Sequence, residues 1–217
     1  AAQEIQAFNP QARILIMLRN PVDMMYSMHS QALFTQVENV RDFEQALALE
    51  PERKAGRQIP DSTTITCFIL YRELASYSDQ IKRYFDVFGR DQVHVIIYDD
   101  FKRDVAHHYQ QTLEFLGIDA SFTLPSFEAV NTNKRLRNNW LRGAMKNRLV
   151  KQAVRTLIPN RSVRQRLAQT SMPLVISHEK RPPLAPNLRS KLQTEFRPEV
   201  QRLSDLLDRD LMHWCES

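Results

Sequence analysis

Residues 12–31, ARILIMLRNPVDMMYSMHSQ, constrain the fold of this chain more than any other stretch. Ile14 to Leu18 is a short, unbroken apolar run, the pattern of a strand buried on both faces. Asn20 then offers an N-cap, Pro21 suits the first helical position, and Asp23 sits near the positive end of the helix that follows. Arg19 therefore falls at the carboxyl end of a buried strand, and Ser27 about two turns into the next helix. Ligands of open α/β sheets bind at that edge. A guanidinium fork, a hydroxyl and a helix start together suit a phosphate. The same residues also suit a plain surface, with Arg19 paired to Asp23 and Ser27 facing solvent. The residues alone leave both open.

The chain has 217 residues, enough for one domain with a sizeable core, and its 42% hydrophobic and 25% charged content is globular. Its net charge of +5 and pI near 9.4 fit an anionic ligand, a nucleic acid or an acidic surface, and choose none of them. Cys67 and Cys215, far apart and alone, make neither a disulfide framework nor a metal cluster. They read as free thiols of a reducing compartment. No apolar run approaches the roughly 20 residues of a membrane span, and no signal-peptide pattern appears. The opening AAQEIQAFNP reads as the tail of a helix leading into the first strand, as in a chain cut into an existing fold.

Further along, 21–34 reads as a helix with core methionines at 24, 25 and 28, and His29 beside them has no partner that the sequence names. A short amphipathic helix is expected over 41–50 and a loop over 51–63. Residues 66–88 read as one long helix ended by Gly89, with an aromatic stripe that includes Tyr71 and Tyr77. Most of that stripe is core; Tyr71 or Tyr77 could face a cleft. A second strand is expected over 92–98, QVHVIIY, followed by Asp99-Asp100-Phe101-Lys102 and a helix over 103–116. Two strand-then-helix units joined by a long helix imply a parallel sheet with right-handed crossovers. Asp99 and Asp100 read as cap and loop residues, because no histidine or third carboxylate stands at metal-ligand spacing.

After a linker over 119–128, no acidic residue occurs from Ala129 to His178, while Lys134, Arg135, Arg137, Arg142, Lys146 and further bases accumulate. This segment supplies the positive balance, either as a solvated helix face or as a surface attracting an anion. The tail from Pro182 reads as a closing helix with Leu188, Leu192, Phe196, Val200 and Leu203 inward.

In order, these motifs resemble the PAPS-dependent sulfotransferases, bacterial and Golgi-type members above all; PAPS is 3′-phosphoadenosine 5′-phosphosulfate. The resemblance rests on R-N-P-x-D-x-x-x-S from Arg19 to Ser27, the tyrosine helix, Y-D-D-F-K from Tyr98, F-L-G at 115–117 and L-L-D-R-D-L-M-H-W at 206–214. It implies an α/β, P-loop-NTPase-like fold, a parallel sheet flanked by helices. It implies one sulfotransferase-like domain over 1–217, with a nucleotide-binding part (1–118), a basic segment (119–187) and a closing helix (188–217). By the match, Arg19 and Ser27 hold the 3′-phosphate and Tyr98 packs near the adenine. Lys134 and Arg135 stand where the family's late basic loop also touches that phosphate, although no glycine follows them as it does there. The co-substrate implied is PAPS, with PAP as its product and no metal, and the acceptor is a small-molecule or carbohydrate hydroxyl or amine. A bacterial-type parent would be cytoplasmic; a Golgi-lumenal one stays open.

The family's 5′-phosphosulfate loop, with its lysine, and its catalytic base lie upstream of the R…S motif. None of Gly56, Gly89, Gly117 and Gly143 stands in a G-x-x-[KR]-[ST]-[GS]-[TS] context. The expectation is that the catalytic base and this N-terminal part lie ahead of Ala1. The chain is then a fragment or a degenerate member that carries the 3′-phosphate half and is inactive alone. The alternative is a non-catalytic basic module docking nucleic acid or an acidic polymer through residues 134–166. Against it, Trp140 is the one aromatic there and no known nucleic-acid motif appears. A P-loop kinase lacks its Walker lysine here.

Overall fold

A computed structural model describes residues 1–119 and 181–216, together with the backbone of two short strands at 135–136 and 176–177. The chain divides into two compact units, Ala1–Glu128 with Leu184–Ser217, and Ala129–Pro183. In the second, β3 (Arg135–Leu136) pairs antiparallel with β4 (Ile176–Ser177).

The first unit is built on a parallel pair, β1 (Ile14–Leu18) and β2 (Val93–Ile97), in register from Ile14 opposite Val93 to Leu18 opposite Ile97. The two apolar runs form strands where expected, but β1 is not buried on both faces: Leu15 and Met17 are exposed. Both strands end together, so Arg19 and Tyr98 leave the sheet side by side. Helix α1 (Ala2–Phe8) precedes β1, and α2 (Pro21–Thr35) follows it. Asn20 caps α2 as expected, its Oδ1 accepting from the Val22 N–H at 3.0 Å. Met25 is fully buried and His29 nearly so. The His29 Nε2–H donates to the Val40 carbonyl at 2.9 Å, and burial holds the imidazole below its ordinary pKa.

The single helix expected over 66–88 is in fact broken. A 3₁₀ turn (Thr66–Ile69) leads into α5 (Tyr71–Ala75), and α6 (Ser78–Phe88) starts anew after Ser76 and Tyr77. The break holds because α6 is capped from far away in sequence. The Glu199 carboxylate accepts from the Ser78 backbone N–H at 2.7 Å and from its hydroxyl at 2.9 Å. Gln80 bridges the gap, donating to the carbonyls of Glu73 and Ser76. Gly89, at φ +76°, ends α6 where expected.

The helix expected over 41–50 is two, α3 (Phe43–Ala48) and α4 (Glu50–Lys54), so the loop begins only at Ala55. Y-D-D-F-K is helical rather than loop, in α7 (Tyr98–Arg103), and Asp104 then caps α8 (Val105–Leu116).

The tail forms α9 (Pro186–Leu207) and a final 3₁₀ turn (Met212–Cys215). The first half of α9 puts Leu188, Leu192 and Phe196 into a core with Val22, Met25, Phe43 and Tyr71. Its second half puts Val200 and Leu203 against Leu18, Tyr77 and Ile97. Full burial of each such leucine contributes about 1.5–3 kcal/mol, so α9 holds the helical layer and the strand ends together. Cys67 and Cys215 are both free thiols. No helix among the described residues is long and apolar enough to cross a membrane.

Candidate functional site

The site lies where β1 and β2 end. The register brings Arg19 and Tyr98 together, and the guanidinium carbon stands 5.2 Å from the centre of the Tyr98 ring. This is cation–π distance. Both residues are half-buried. Pairing of Arg19 with Asp23 does not occur: Arg189 of α9 takes the Asp23 carboxylate at 2.7 Å. Among the described residues Arg19 has no ion-pair partner, so its fork of donors is uncommitted.

Ser27 stands in α2, half-buried and away from the buried stripe of Val22, Met25, His29 and Ala32. The helix that carries it is fed directly by the strand that carries Arg19. Lys134 lies outside the described residues. Arg135 contributes its backbone to β3, and its side chain also lies outside them. Of the expected residues, then, the structure brings Arg19 and Tyr98 into contact.

Two further side chains complete this corner. Tyr77, at the break between α5 and α6, shares a buried cluster with Leu18 and Ile97, the residues just before Arg19 and Tyr98. It is only 7% exposed, and its hydroxyl has no hydrogen-bond partner among the described residues. Burial raises its pKa, and the Arg19 charge, close enough to act on it, opposes that rise. Tyr71, the other cleft candidate, is spoken for: it is fully buried and its hydroxyl donates to Glu38 at 2.9 Å.

Trp214 is the second. Its indole N–H donates to Asp99 at 3.1 Å, and its carbonyl accepts from the Asn20 amide at 3.1 Å. One residue of the tail thus ties the segment after β1 to the segment after β2. Asp100, next to Asp99, is paired with Arg209 of the same tail. The acids of Y-D-D-F-K therefore anchor the tail. The tail motif announced closure of the core; that its tryptophan holds the rim of the site needed the fold.

We predict that Trp214→Phe, which keeps an aromatic ring but loses the indole donor, lowers unfolding free energy by about 1 kcal/mol in urea titration. An unchanged midpoint would mean that Asp99 and the tail are not coupled.

The sulfotransferase domain family model matches residues 3–204. The crystal structure of a sulfotransferase from Alicyclobacillus acidocaldarius is similar, with a TM-score of 0.63 and 29% sequence identity. The similarity covers 98% of this chain and 61% of that one, so the chain spans less than two thirds of that protein's length. No curated protein matches the chain. The helix-flanked parallel sheet expected from the motifs is the fold found. With nearly the whole length matched, the chain belongs to the sulfotransferase domain family.

Proposed function

We propose that the chain provides the 3′-phosphate-binding part of a PAPS-dependent sulfotransferase acting on a hydroxyl or amine acceptor, a small molecule or carbohydrate. The observation that carries this reading is the uncommitted Arg19 guanidinium at the carboxyl end of β1, stacked on Tyr98 at the end of β2. A half-buried arginine without an acid partner among the described residues, at the ligand edge of an α/β sheet, suits an external anion.

The residues fit the nucleotide. The Arg19 fork would take oxygens of the 3′-phosphate in bidentate fashion, and the Ser27 hydroxyl would donate to the same group. The Tyr98 ring offers an aromatic surface to the purine. Lys134 and Arg135 are candidates for additional contacts to the phosphate. PAPS, when bound, supplies a sulfuryl group activated by its anhydride link to phosphate. The part of this chain is to grip the far end of the nucleotide and fix its register. No described residue is assigned to the transfer step itself.

The test is discrimination between nucleotides. The chain is expected to bind PAP on the order of 100-fold more tightly than 5′-AMP by calorimetry, because PAP alone carries the charge that Arg19 would pair with. Equal affinities would sink the site assignment. Salt-steep binding to duplex DNA with no nucleotide preference would favour the basic-module reading instead.

A further inference from the structure

We propose that Tyr77 is a phosphate-binding residue of this site, its hydroxyl donating to an oxygen of the same phosphate that Arg19 holds. The inference rests on the nucleotide reading above and adds a residue to it that lies outside the R…S motif.

Four observations lead there. First, the Tyr77 hydroxyl is buried and has no partner among the described residues. Buried polar groups are nearly always paired, so an orphan needs an explanation. Phenylalanine would fill the same core volume without that cost. Second, Tyr77 belongs to one buried cluster with Leu18 and Ile97, which directly precede Arg19 and Tyr98. It therefore adjoins the residues that frame the site. Third, besides burial, two charges act on the hydroxyl: Arg19, which opposes the rise in its pKa, and Glu199, which adds to it. Among the described residues neither donor has a carboxylate hydrogen-bond partner, and the Glu199 carboxylate is taken by Ser78 and Arg202, so an anion that reached both would satisfy both.

Fourth, the position of Tyr77 is built. The chain leaves helical geometry at Ser76, with ψ of 87°. The next helix is then pinned at Ser78 by the buried Glu199 of α9. A continuous helix over 66–88 would turn residue 77 elsewhere. The break and its remote cap fix the backbone at this one residue. Burial also keeps the phenol protonated, which is the form that donates.

The experiment is Tyr77→Phe in the full 217-residue chain, with PAP and 5′-AMP affinities measured by calorimetry and stability by thermal unfolding. The expected result is a loss of PAP affinity of about 10-fold or more, with 5′-AMP affinity unchanged. The unfolding temperature should hold or rise, since an unpaired buried hydroxyl is removed. Unchanged PAP affinity overturns the proposal, as does an equal loss for both nucleotides. A lowered unfolding temperature with intact PAP binding overturns it too, by showing that the hydroxyl has a structural partner. If the unaltered chain fails to prefer PAP over 5′-AMP, the nucleotide reading itself fails. If it prefers PAP and Tyr77→Phe keeps that preference, only Tyr77 is wrongly assigned.

Discussion

Arg53→Ala is expected to destabilise the fold by about 3–5 kcal/mol, the penalty for leaving a buried charge without its partner. That is a large share of a typical domain's stability. Arg53 is 1% exposed and Glu38 3%. The guanidinium meets both carboxylate oxygens, at 2.9 Å and 2.8 Å, and also donates to the Ile69 carbonyl at 3.2 Å. Glu38 accepts in addition from the Tyr71 hydroxyl and from the N–H groups of Asn39 and Val40, each at 2.9 Å. The network joins α4, the 3₁₀ turn before α5 and the segment after α2. The adjoining Val40 carbonyl takes the His29 bond, so the network also steadies α2 two residues past Ser27. Without Arg53, Glu38 has no countercharge and little water.

Burial pushes the Glu38 pKa up, but the Arg53, Val40 and Tyr71 hydrogen bonds outweigh it and hold the group below its ordinary 4.5. The pair's stabilisation is therefore present above that ordinary value. It is lost as pH falls through the lower, folded-state value. In Arg53→Ala burial acts unopposed by the guanidinium, and Glu38 takes up a proton at higher pH. The gap between the two proteins in urea is expected to be widest near neutrality and to narrow on acidification below about pH 5. A gap independent of pH would show that lost packing, not the stranded carboxylate, sets the cost. The double variant Arg53→Met with Glu38→Leu should cost less than Arg53→Ala alone, because no charge is left buried.

What could be read from the sequence divides along physical lines. β1, its Arg19, the Asn20 cap and the start of α2 are written in ten consecutive residues, and each rests on local geometry. Position at the carboxyl edge of a strand made Arg19 a candidate and left its pairing with Asp23 open, until the structure gave Asp23 to Arg189. The partner of Arg19 was not legible from spacing alone. Tyr98 lies 79 residues later and reaches Arg19 only because β1 and β2 pair in that register. The motif named Tyr98 without saying what it touches.

The break at Ser76 was invisible for a related reason. Leu70, Tyr71, Leu74 and Ile81 keep helical spacing across it, and no proline or glycine marks it. The cap that makes it stable comes from Glu199, on a helix that sequence patterning read only for its apolar stripe. Glu38 and Arg53 sit in charged, loop-like stretches where such residues are mostly exposed. Their burial follows from tertiary packing and leaves no periodic trace.

The largest effect on ligand binding is expected at Arg19 itself. Arg19→Ala should lower PAP affinity by roughly 100-fold or more and leave 5′-AMP affinity within about threefold, abolishing the preference between them. The Arg19 side chain makes no ion pair among the described residues, so its removal strands no acid. Its ring contact with Tyr98 accounts for about 0.5–1 kcal/mol of stability at a partly exposed position, a small shift in unfolding. A structural arginine would behave in the opposite way, with a lower unfolding temperature and an intact nucleotide preference. Arg19→Lys separates charge from shape. Lysine keeps the positive charge but offers neither the planar fork nor the same stacking on Tyr98. It should therefore recover only a minor part of the lost PAP affinity, with a steeper loss at high salt than the unaltered chain shows. Full recovery by lysine would mean that the site reads charge alone. The register that sets Arg19 on Tyr98 would then contribute nothing to recognition.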